Sequence, residues 1–117
     1  MMYRDIPNLA SVFGYVNASW TLKCELIAQR MCQLLHYMDR HGYTQCTPRL
    51  RDHIIVEEPM LGLTSGYMQR ARDTMPRQSI RNPWKMHQNY LRDVLSLRFS
   101  TVNDGTMEFT RRAKHAQ

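Results

Sequence analysis

No stretch of this chain approaches 18 consecutive apolar residues, which excludes a membrane-spanning helix of ordinary length. The opening Met1-Met2-Tyr3-Arg4-Asp5 has no apolar h-region, so no secretory signal is expected. Glycine is scarce: there are five, and none makes the GxGxxG spacing of a phosphate-cradling loop. The three cysteines, Cys24, Cys32 and Cys46, are odd in number and lack metal-ligand spacing. Reduced thiols in a cytoplasmic protein follow as the expectation. His36, His41, His53, His87 and His115 are scattered, with no pair at ligand spacing backed by a carboxylate, so no metal site is expected. Asp39, Glu57-Glu58 and Asp73 form no evident acid/base pair, so spacing alone yields no catalytic residue. Internal repeats and low-complexity tracts are absent too.

What remains is ordinary globular composition. Hydrophobic residues make up 43% and charged residues 22% of 117, enough for one domain with a real core. The net charge of +6 is uneven, with Arg70, Arg72, Arg77, Arg81, Lys85, Arg92 and Arg98 all in the second half. Such a surface fits nucleic acid or a phosphorylated cofactor, but a solvated basic face explains it as well. No nucleic-acid motif accompanies it, so a nucleic-acid partner is not expected.

Leu22 to His41 carries the strongest periodicity. Cys24, Ile27, Ala28, Met31, Leu34, Leu35 and Met38 recur at helical spacing, while Lys23, Glu25, Gln29 and Arg30 fall on the other positions. Ser19 or Thr21 supplies an N-cap and Gly42 a stop. Cys24 and Cys32 lie along this stripe and read as small core residues. Before it, Leu9 to Phe13 is a short apolar run that reads as a buried strand, broken at Gly14. A strand, turn and helix in that order is where open α/β sheets bind ligands, outside strand ends and at helix N-termini.

Farther on, Pro48 and Pro59 mark an extended connector, with His53 to Glu57 as a short strand. A second helix is expected over Tyr67 to Met75, stopped by Pro76. A third is expected from an Asn82-Pro83 start through Phe99, with Trp84, Leu91, Val94, Leu95 and Leu97 as its apolar side. Asn103-Asp104-Gly105 is a turn signal between Thr101-Val102 and Met107-Glu108-Phe109, which reads as a small terminal hairpin. The fold class is therefore α+β and mostly helical: one N-terminal strand, three main helices and a short hairpin.

Several strings resemble a known family. Asp5-Ile6-Pro7-Asn8-Leu9-Ala10 and the run Gly14 to Lys23 (GYVNASWTLK) resemble the last strand and helix of the FAD-binding domain in flavin-containing monooxygenases. The likeness is to the Baeyer–Villiger-type and ethionamide-activating branch. Ser65 to Gln78, Pro83 to Asp93 and Asp104 to Phe109 resemble that branch's C-terminal extension, in the same order. Ser79-Ile80 departs from it, since the family typically carries Gly-Ser there. The family's two GxGxxG motifs and its fingerprint would lie upstream, and Met1-Met2 matches an internal methionine pair of the family.

The resemblance implies residues 1–43 as the end of an FAD-binding domain and 44–117 as the extension, within an α/β parent holding two dinucleotide-binding domains. It implies FAD and NADPH as cofactors of the intact parent, which transfers one oxygen atom from O2 to a ketone, sulfide or amine. Asn17, Ala18, Ser19 and Trp20 would face the pyrimidine edge of the flavin. No cofactor is expected on the isolated chain, whose partner would be the missing upstream portion or a second copy. The alternative is a small basic helical module that binds proteins or nucleic acid, which leaves the matched strings unexplained.

Overall fold

The computed structural model describes residues 2–49, 57–59, 66–71, 73–74, 77–79, 85 and 87–112. In chain order the elements are α1 (Trp20–His41), β1 (Gln45–Pro48), β2 (Glu57–Pro59), α2 (Gly66–Arg70), β3 (Arg77–Ser79), α3 (Tyr90–Phe99) and β4 (Met107–Thr110). They divide into two compact units, one of residues 1–51 with 87–117, the other of residues 52–86. In the second unit β2 and β3 pair antiparallel, Glu57 opposite Ser79. There α2 is a single short helix.

The first unit is built on α1. Its 22 residues end as the periodicity predicts, at Gly42 in the left-handed conformation (φ 67°), whose N–H bonds back to Asp39 O. Glycine adopts that conformation without a Cβ penalty. The helix starts at Trp20, two residues earlier than expected, with Ser19 as N-cap. One side of α1 packs on α3. Toward its C-terminus, Leu34 and Met38 meet Met2 and Cys46 in the core, with Met31, Tyr43, Met107 and Phe109 packed around them.

Five expectations are corrected. Leu9 to Phe13 is not a strand: only Ala10 makes an isolated bridge, to Met2. Instead, Asp5 and Asn8 take positive φ (62° and 55°) and fold the segment along the outer edge of β1. Asn8 N–H donates to Cys46 O (2.9 Å), its Oδ1 accepts from Cys46 N (2.9 Å), and its Nδ2 donates to Thr44 O (3.2 Å). Asp5 N–H donates to Pro48 O (2.9 Å). Pro48 thus faces this edge, where a strand tolerates the missing donor. The side chain of Asn8 completes what a neighbouring strand would otherwise supply.

The terminal hairpin is likewise replaced. The turn forms, with Gly105 at φ 84° and Thr106 bonded to Asp104, but β4 pairs with β1 rather than with Thr101-Val102. Thr101 and Val102 are taken up elsewhere: the Arg30 guanidinium binds the Ser100 and Thr101 carbonyls (2.8 Å each), and Val102 packs on the core.

The third helix begins at Tyr90 rather than in the 80s. Asn89 is its N-cap, with Oδ1 accepting from Arg92 N (3.1 Å). Lys85 and residues 87–89 are not helical; Asn82, Pro83 and Trp84 lie outside the described residues. Leu91 and Leu95 are exposed, so α3 meets α1 through other positions. The second helix spans only Gly66–Arg70, followed by a turn in which Thr74 bonds Ala71 O through both its N–H and its hydroxyl. Such local side-chain bonds compete with helix continuation. Residues 53–56, Met75 and Pro76 lie outside the described set.

The α1 stripe is also rotated from expectation. Cys24, Ala28, Cys32 and Leu35 are exposed, whereas Lys23, Leu26, Ile27, Leu34 and Met38 are buried. The two cysteines are therefore surface thiols, and Cys46 is the buried one. The fold class remains α+β: among the described residues there are two longer helices, one short helix and small antiparallel sheets in place of the expected strand and hairpin.

Candidate functional site

The expected site residues form the entry to α1. Asn17 and Ala18 lie in a bend, Ser19 is the N-cap, and Trp20 is the first helical residue; all four are exposed. Ser19 has extended backbone geometry (ψ 132°) but makes no side-chain cap, because its hydroxyl pairs with Thr21 Oγ1 (2.7 Å). The first turn of α1 holds no acidic residue. Backbone N–H donors at this end, with the partial positive charge of the helix dipole, make a local environment suited to an anion. The Trp20 indole lies over Gly14 and against Phe13, ring centroids 5.3 Å apart. A Cβ at Gly14 would overlap the indole, so this close approach accounts for glycine there.

Behind the exposed bend sits a buried polar cluster that periodicity did not reveal. Lys23 and Asp93 form an ion pair with side chains 6% and 4% exposed. The Tyr15 hydroxyl donates to the same Asp93 Oδ2 at 2.5 Å, and Tyr15 is only 1% exposed. Lys23 Nζ also donates to His87 O (3.3 Å) and lies 5.0 Å from the centre of the Tyr15 ring. Burial and the Asp93 carboxylate push the Tyr15 phenol well above its ordinary value. Tyr90 meets Tyr15 edge to face at 6.5 Å. Charges so deeply buried persist when paired and hydrogen-bonded, which is how these three groups are arranged.

Two more bonds tie the bend to the segment before α3. Val16 N–H donates to Gln88 Oε1 (3.0 Å), and Asn17 Nδ2 reaches Gln88 O at 3.5 Å. Gln88 Nε2 is buried and has no hydrogen-bond partner among the described residues. Leaving a donor unsatisfied in a folded interior costs about 1–3 kcal/mol.

The placement also explains which strings travel together. Tyr15 and Lys23 belong to Gly14–Lys23, and Asp93 closes Pro83–Asp93. Met107 to Phe109, from the string Asp104–Phe109, lies in β4 against the core. Lys23 fell on the polar side of the α1 pattern, because its charge hides its burial until the distant Asp93 is placed. Among the described residues, no group of three or more His, Cys, Asp or Glu side chains is arranged to hold a metal ion, and no helix is long and apolar enough to cross a membrane.

Comparison with known proteins places these features in context. The chain is 42% identical over 113 residues to the "Probable FAD-binding monooxygenase AlmA" of Acinetobacter baylyi, covering 96% of this chain and 23% of that protein. It is 40% identical over 112 residues to the FAD-containing monooxygenase EthA of Mycobacterium tuberculosis, again 96% of this chain and 23% of the relative. To the protein of the same name from Mycolicibacterium smegmatis the identity is 36% over 111 residues. The chain thus spans under a quarter of the length of the curated relatives it matches. No family model matches it, and no solved structure matches it significantly.

Proposed function

Starting from a chain that matches the C-terminal portion of FAD-containing monooxygenases, we propose that it serves as the flavin-facing C-terminal part of such an enzyme and acts only together with the upstream part. The observation that carries this reading is the match along 96% of the chain. The parent fold would be the two-domain α/β flavoprotein, with residues 1–43 ending its FAD-binding domain. Bound FAD would supply the redox chemistry, with NADPH as reductant and O2 as the source of the oxygen atom given to a ketone, sulfide or amine.

The residues of this chain fit one side of that group. Asn17, Ala18, Ser19 and Trp20 present an exposed helix entry with no acidic residue in its first turn. Its backbone donors suit the negative charge that flavin reduction places on the pyrimidine edge, worth about 0.3–1 kcal/mol and up to ~2 in a partly buried setting. The task of the chain is to hold these donors in place and exclude water from the edge.

Large exposed apolar side chains support a further body covering this unit. Val12, Val16 and Trp20 around the helix entry, and Leu91, Leu95 and Phe99 on α3, are all 46% exposed or more. Soluble monomers rarely leave extended apolar patches open. In the reading favoured here the upstream flavoprotein portion covers them, and in its absence the chain self-associates. A cytoplasmic setting belongs to the same reading, consistent with three free cysteines.

The test is reconstitution. The purified chain alone is expected to bind no FAD through gel filtration and to oxidise no NADPH. Mixed with the upstream portion of an FAD-containing monooxygenase, it is expected to restore flavin retention and NADPH oxidation. A chain that carries flavin by itself would overturn the fragment reading.

A further inference from the structure

The bend that would meet the flavin is exposed, yet both of its flanks are gripped from inside. On the entering side, Tyr15 is anchored on Asp93 and the Val16 N–H on Gln88. On the leaving side, Lys23 is anchored on Asp93 and on the His87 carbonyl. All the gripping groups come from residues 87–93, some 70 positions farther along the chain. A single carboxylate oxygen, Asp93 Oδ2, takes both the phenol and the ammonium, so the two flanks share one anchor.

We propose that Tyr15, Lys23 and Asp93 are positioning residues that clasp the Asn17–Trp20 bend in its flavin-facing form from the C-terminal extension. The function of the extension would then be local. It sets the angle at which the N-terminus of α1 meets its ligand, and need not touch that ligand itself. This inference rests on the flavin-facing reading of the bend.

The physical logic separates the clasp from general packing. The buried ion pair is weak evidence for stability, because replacing both charges with apolar groups of similar size is often neutral or stabilising. What such a replacement does remove is the directional bonding that fixes where residues 15 and 23 sit. A variant can therefore keep the fold and lose the position.

Two variants of the 117-residue chain test this: Tyr15→Phe, which deletes one hydroxyl, and the double replacement Lys23→Met with Asp93→Leu. Both are expected to keep the protection of the β1–β4 amides. The Val16 amide, whose own acceptor is the neutral Gln88 Oε1, is expected to exchange faster by about 10- to 100-fold, because losing the charge-assisted anchor on Asp93 lets the bend open. When added to the upstream portion of an FAD-containing monooxygenase, both are expected to weaken FAD binding and shift its reduction potential relative to the unaltered chain.

Unchanged Val16 exchange in a folded variant overturns the clasp. So does loss of β1–β4 protection in Tyr15→Phe, which would make the cluster part of the global core. If the double variant does not fold, Tyr15→Phe decides alone. Faster Val16 exchange with unaltered FAD affinity and potential leaves the clasp standing and overturns the flavin-facing reading of the bend.

Discussion

Replacing Asn8 isolates a single side chain that stands in for a strand. Its Oδ1 satisfies the N–H of Cys46, a residue 1% exposed, while its own backbone sits at φ 55°. In Asn8→Ala that N–H loses its acceptor, at about 1–3 kcal/mol. Alanine in the left-handed region adds about 1 kcal/mol. The bond from Nδ2 to Thr44 O is exposed, so water replaces it at little cost. The sum is about 2–4 kcal/mol, toward the lower figure where water reaches the vacated edge. Asn8→Gly removes the backbone penalty but not the orphaned donor, and so falls slightly below alanine. Asn8→Asp keeps the acceptor and loses only the exposed donor, for about 0.5–1 kcal/mol. Urea unfolding at constant m-value reads the series, and exchange of the Cys46 amide locates it. An alanine variant within 0.5 kcal/mol of the parent chain, about the ordinary surface range, would refute the edge-completing role. An aspartate variant as damaged as alanine would refute the assignment to Oδ1.

Four further outcomes follow from the same structure. Asp93→Leu alone strands the Lys23 charge and should lose about 3–5 kcal/mol in urea unfolding. The double replacement with Lys23→Met should lose only about 1–3 kcal/mol, the cost of the Tyr15 hydroxyl left without its acceptor; equal stabilities would show the lysine to be solvated. Burial pushes the Cys46 thiol from 9.0 up to about 11, so the unfolded chain ionises first as pH rises. The corresponding stability is complete below pH 9 and lost by about pH 11, roughly 2–3 kcal/mol; a Cys46→Ala chain with an identical alkaline profile would contradict this. Cys24 and Cys32 should meanwhile label with a thiol reagent in the folded chain while Cys46 labels only on unfolding. Gly14→Ala should push the Trp20 indole off Phe13 and cost about 1–3 kcal/mol, read from the indole N–H resonance and the urea midpoint; an unmoved resonance would mean the indole does not lie there.

Local signals in the sequence were enough to specify α1 and its C-terminal end. Its periodicity and Gly42 act within a few residues, and the helix runs to His41 as read, though it starts two residues early. The turn at Asn103 to Gly105 was legible for the same reason, since Gly105 needs its positive φ regardless of what surrounds it. Asn17 to Trp20, singled out by resemblance, form the exposed entry to that helix. Partners were not legible. A turn does not say which strand its arm will join, and Met107 to Thr110 joined Gln45 to Pro48, some 60 residues away. An apolar run does not carry its neighbours with it, so Leu9 to Phe13 gave way to a side chain, that of Asn8, completing the edge of β1. A helical stripe fixes a period but not which side is covered: Cys24 and Leu35 faced outward while Lys23 turned in. The burial of Lys23 was decided by a carboxylate 70 residues on, whose hydrogen bonds make a buried charge tolerable only after the chain has folded. Short-range chemistry therefore belonged to the sequence, and every contact whose free energy depends on a distant group belonged to the tertiary structure.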